Sequence, residues 1–123
     1  MNIRTKTTDY EMTPEVSAYL ETRMRTLEKL LGEHAGSAIC EVELGRDAGR
    51  GRHSEHKWFA EVMVRVPGGA RVRATNRASS INAAIDDVKE EVERQLRKEK
   101  QAHIRILRKS GAYVKRLLRF EEE

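Results

Sequence analysis

Six stretches of this chain alternate apolar and polar residues in a regular way, and the period of each names an element. NIRTKTT, residues 2–8, alternates and is rich in β-branched residues, which predicts a strand with Ile3, Thr5 and Thr7 on one face. Thr13-Pro14 supplies a helix N-cap followed by a proline suited to the first turn. Val16, Leu20, Met24, Leu27 and Leu31 follow at steps of three or four. They mark one face of a single helix of about four to five turns. Gly32 stands where its C-cap is expected.

AICEVEL returns to a period of two, with Ala38, Cys40, Val42 and Leu44 inward and Glu41 and Glu43 outward. GRDAGRGRHSEH, residues 45–56, sets Gly45, Gly49 and Gly51 among arginines and has no apolar period, so it is predicted as a flexible loop. KWFAEVMVRV puts Trp58, Ala60, Val62, Val64 and Val66 on the core face. PGG at 67–69 then turns the chain, and ARVRAT brings it back with Val72 and Ala74 inward and Arg71 and Arg73 outward. Ser79 or Ser80 caps a last long helix whose buried stripe is Ile81, Ala84, Ile85, Val88, Val92 and Leu96. The order is β-α-β-β-β-α. A right-handed crossover makes the first two strands parallel, and an antiparallel meander follows. The predicted fold is therefore α+β, with a four-stranded mixed sheet and both helices packed on one face. Residues 1–101 form this domain. Residues 102–123 read as a basic tail: a helix extension, a break at Ser110-Gly111, then a short basic helix.

Charge sharpens the picture at one end. The formal net charge is +4, yet residues 94–119 hold ten bases against one acid, Glu99. The single cysteine, Cys40, excludes an internal disulfide and reads as a small core residue. There is no apolar leader and no run long enough to span a bilayer, which leaves a cytoplasmic protein as the expectation.

Catalytic chemistry finds no constellation to stand on. His34, His53, His56 and His103 lack metal-ligand spacing, and no glycine-rich phosphate loop joins a strand to a helix. Glu41, Glu43 and Glu61 read as solubilising carboxylates on an open sheet face. No enzyme activity, metal or cofactor is expected.

The basic block asks for a partner. Asp86, Asp87, Glu90, Glu91 and Glu93 precede Arg94, Arg97, Lys98 and Lys100, a polarity that complements the helix dipole. That effect is confined to the last turn, whereas the bases continue through Arg105, Arg108 and Lys109. At 100° per residue, Arg94, Lys98 and Arg105 share one side of the helix, Lys89 and Lys100 lie across the buried stripe from them, and Arg97 faces solvent. Arg23, Arg25 and Lys29 join them if the two helices lie side by side, and Arg46, Arg50 and Arg52 sit in the adaptable loop. Two rails of bases suit a groove bounded by phosphates. Aromatic residues are too few for base stacking, so structured RNA read by shape is the expected ligand.

NIRTKTTDYEMTPEVSAYLETRMRTLEKLL, EVELGR, KWFAEVMVRVPGG and AAIDDVKEEVERQLRKEK resemble the family of ribosome hibernation-promoting factors and ribosome-associated translation inhibitors, over residues 1 to 101. The resemblance implies a non-enzymatic protein that binds the small ribosomal subunit and its rRNA between head and body, and the free protein is expected to be monomeric. There it would sterically exclude mRNA, tRNA or initiation factors from idle ribosomes. The family's rRNA-facing bases correspond to Arg23 on the first helix and to Arg94, Arg97, Lys98 and Lys100 on the second. Two departures stand out. Ser80 and Asn82 occupy positions where the family often has an acid and an aromatic, and residues 102–123 are too few for the second domain by which long members pair ribosomes. Two other readings remain open: a generic double-stranded-RNA module, against which the acidic start of the last helix argues, and a membrane-surface protein acting through its tail.

Overall fold

The strands β1 (Asn2–Thr8), β2 (Ile39–Arg46), β3 (Trp58–Arg65) and β4 (Arg71–Ala78) form one sheet in that spatial order. β1 runs parallel to β2, and the other pairs are antiparallel. The helices are α1 (Pro14–Arg25), α2 (Glu28–Leu31) and α3 (Ile81–Lys109). This computed structural model describes residues 1–47 and 56–109, with the α3 side chains followed as far as Ala102. Gly49, Arg50, Gly51, Arg52 and His53 lie outside the described residues, as does everything from Ser110 onward. The same holds for the side chains of His103, Arg105, Arg108 and Lys109.

The α+β, two-layer reading of the sequence is correct. Ala38, Cys40, Val42, Leu44, Ala60, Val62, Val64, Val66, Val72 and Ala74 are buried, and so are Leu20, Met24, Leu27, Leu31 and the α3 stripe from Ala84 to Leu96. Among the described residues no charged or polar residue is fully buried, so one apolar layer between helices and sheet supplies the cohesion. α3 packs over β3 and β4, and α1 lies beside it. Both caps form: the Val16 amide donates to Thr13 Oγ1 at 3.2 Å and the Ala83 amide to Ser80 Oγ at 3.1 Å, which selects Ser80 over Ser79.

Four details differ from expectation. The first helix is not continuous, because the chain turns at Thr26-Leu27 between α1 and α2. The Thr26 hydroxyl donates to the Arg23 carbonyl at 2.7 Å, and the Thr26 and Leu27 amides make tight bonds three residues back, to Arg23 and Met24. A side chain that competes for backbone carbonyls thereby ends the helix one turn early. Leu27 and Leu31 stay buried, so the apolar face survives the turn; Gly32 then ends α2 with φ of 56° and leads into a 3-10 turn. Thr5 and Thr7 are exposed although they pair in register with core residues Val42 and Leu44, because β1 is an edge strand. Trp58 is only half-buried at the end of β3. Gly45 and Arg46 belong to β2 rather than to the loop.

Candidate nucleic-acid interface

The two flanks of α3 are distinguished by what each meets. On the α1 side, the Tyr19 hydroxyl donates to Asp86 Oδ1 at 2.6 Å, and Arg23 reaches Asp86 at 3.1 Å and donates to the Tyr19 hydroxyl at 3.1 Å. The Arg23 guanidinium also lies 5.0 Å from the centre of the Tyr19 ring. Its pKa is raised by the Tyr19 hydrogen bond first and by the Asp86 charge second. Arg23 therefore ties α1 to α3 and is half-committed before any ligand arrives. Further along this flank Glu93 receives Lys89 at 2.7 Å and Arg97 at 3.4 Å, four residues to either side.

On the other flank α3 meets the edge of β4. Gln95 Oε1 accepts from the Arg73 amide at 3.3 Å while Gln95 Nε2 donates to the Arg73 carbonyl at 3.0 Å. One side-chain amide thus pairs with both backbone groups of an edge residue. Glu91 steadies it by accepting from Gln95 Nε2 at 3.1 Å, and Glu91 also takes Arg94 through two bonds of 2.5 and 3.0 Å. The Arg94 hydrogen bond, with Gln95 second, holds the Glu91 carboxyl down at about 2.

Five of the candidate bases thus have acidic partners: Arg23, Lys89, Arg94, Arg97, and Arg25, which bridges Glu21 at 2.7 Å and Glu28 at 3.2 Å. Lys29, Lys98 and Lys100 are exposed and make no ion pair among the described residues. The backbone positions of Arg105, Arg108 and Lys109 continue α3 past Leu96, the last residue buried among the described side chains. Arg23 meets Asp86 of α3, whereas Arg25 meets Glu21, Glu28 and the Met1 carbonyl.

Sequence reading missed two groupings. Arg46 lies 5.6 Å over Trp58, which meets Tyr10 edge-on at 5.3 Å, so a small aromatic and cationic cluster closes one end of the sheet. Phe59 likewise sits under Arg77 at 5.7 Å, and Arg77 pairs with Asp47. The two arginine–aromatic contacts join residues of adjacent strands, and only the sheet register reveals them. Cys40 is fully buried, and desolvation pushes its thiol up to about 12, in keeping with a core residue. Among the described residues no group of acids, histidines and cysteine could hold a metal, and no helix is long and apolar enough to cross a membrane.

Comparison with known proteins agrees with this architecture. The crystal structure of the Thermus thermophilus protein Y N-terminal domain is 26% identical, with a TM-score of 0.62 over 80% of this chain and 98% of that one. A ribosomal subunit interface protein from Coxiella burnetii, at 15% identity, shares the fold, with a TM-score of 0.64 over 82% of this chain and 99% of the other. No curated protein sequence matches the chain. The sigma 54 modulation protein / S30EA ribosomal protein family matches residues 2–103. With nearly the whole described domain inside that match, the chain belongs to this family.

Proposed function

We propose that this protein, ribosome-associated by its family, binds small-subunit rRNA through the basic half of α3 and stops translation by occupying the mRNA and tRNA sites. The observation that carries this reading is the distribution of partners along α3. Arg94 and Arg97 are held only by exposed or half-exposed pairs within the helix, and Lys98 and Lys100 have none among the described residues. Exposed pairs of this kind contribute about 0–1 kcal/mol. A phosphate can therefore replace the carboxylate with little loss, and counterion release then favours the complex. No catalytic step is involved; bulk and charge suffice. Residues 1–101 act as the ribosome-binding unit in the cytoplasm, and residues 102–123 extend the contact along rRNA or the mRNA channel.

Changing Arg94, Lys98 and Lys100 together to Glu should abolish co-sedimentation with isolated small subunits while circular dichroism still reports a folded domain. Persistence of the complex at moderate salt would count against the proposal. A preference of the wild-type protein for long RNA duplexes over small subunits would favour a generic duplex-binding module instead.

A further inference from the structure

The face of the sheet turned away from the helices sorts its charge by row. At the end nearest the β3–β4 turn, the strand partners read Asn2, Ile39, Arg65 and Arg71 across the four strands. The next row reads Arg4, Glu41, Met63 and Arg73, and the third Lys6, Glu43, Glu61 and Thr75. The carboxylates of the third row are already engaged: Glu61 takes Arg73 at 2.7 Å, and Glu43 takes the Thr8 hydroxyl at 2.6 Å and Lys6 at 3.6 Å. Nothing comparable serves the first row. Arg65 and Arg71 are directly opposed, both exposed, and make no ion pair among the described residues. Like charges facing each other across a strand pair destabilise a sheet. With no carboxylate in their row, the repulsion between the two arginines would be relieved by a bound anion.

The position of this row indicates which anion. Gln95 fixes α3 to β4 at Arg73. From there Lys98 lies about 4.5 Å along the helix and Arg71 about 7 Å along the strand, in the same direction because α3 runs back over β4. The basic flank of α3 therefore passes round the β4 edge, by way of Arg73, onto the open sheet. A depression whose charged lining is Arg4, Lys6, Arg71 and Arg73 with Glu41, Glu43 and Glu61 lies beside it, the last two acids already engaged by Lys6 and Arg73. A continuous polyanion fits such a path better than a single small ion does.

We infer that Arg65 and Arg71 bind backbone phosphates of the subunit's RNA, extending the α3 interface round the β4 edge to the open face of the sheet. This rests on the rRNA-binding reading above. The test compares the full chain with its Arg65→Ser/Arg71→Ser variant on isolated small subunits over a range of salt, with protein-stripped subunit RNA as a second probe. The variant should bind both probes at least several-fold more weakly. The slope of log affinity against log salt should shrink by about 1.4–1.8, as for two lost phosphate contacts. Its melting temperature in dilute buffer should equal or exceed that of the wild type, because the repulsion is gone. Unchanged affinity and slope in the variant would overturn the inference and leave the proposed function standing. Loss on intact subunits alone would assign the arginines to an acidic ribosomal protein and overturn the phosphate assignment. Failure of the wild type to bind subunits would remove both.

Discussion

Gly45 shows how much a single position can depend on residues far away in sequence. A Cβ there would lie 2.4 Å from the Phe59 ring and 2.8 Å from the Thr8 carbonyl. The ring could swing aside, but the carbonyl belongs to β1, which pairs with Gly45 along its last residue. Gly45→Ala should therefore destabilise the domain by about 1–3 kcal/mol, the usual range for overpacking, and a denaturant titration measures it. In the sequence this glycine is indistinguishable from Gly49 and Gly51 in the run that follows, because its constraint comes from Phe59 and Thr8 through the register. Cys40 is the opposite case. Its alternation with Ala38, Val42 and Leu44 is local, and that alone located it correctly.

At the scale of elements, helix existence was legible and helix continuity was not. The spacing from Val16 to Leu31 is unbroken, and burial follows it from Leu20 onward, with Val16 partly buried; the turn at Thr26 comes from one hydroxyl that competes for a carbonyl. In α3 the acidic first half and basic second half are joined by local pairs, of which Glu91–Arg94 is the tightest. Because the Glu91 carboxyl sits at about 2 in the folded protein, below its ordinary 4.5, the pair's stabilisation is complete above about 4.5. It drains away as pH falls toward 2. Glu91→Gln should accordingly melt below the wild type at neutral pH. The gap should close between about pH 5 and pH 2, as thermal melts by circular dichroism would register. A gap that stays constant over that range would show that the pair's charge contributes nothing.

For the whole molecule, the sequence located the charged end of α3 but not the distribution of charge around it. Arg23 is engaged with Tyr19 and Asp86 across the two helices, and Arg65 and Arg71 stand opposed on one face of the sheet. Such pairings are set by tertiary register, which periodicity does not encode. A surface of this kind acts collectively. With about six or more phosphates engaged, affinity for small subunits should fall by at least about 10³ between roughly 50 and 200 mM salt, as sedimentation across a salt series would record. A loss of less than tenfold would mean that few phosphates are engaged.

The Gln95 amide bears on how many copies can share a solution. A strand at the margin of a sheet offers a vacant ladder to any similar strand that drifts past, which is how soluble proteins become fibres. On β4 the rung at Arg73 is already taken, by an imitation strand one residue long borrowed from the neighbouring helix. A strand approaching β4 therefore meets a template interrupted at Arg73.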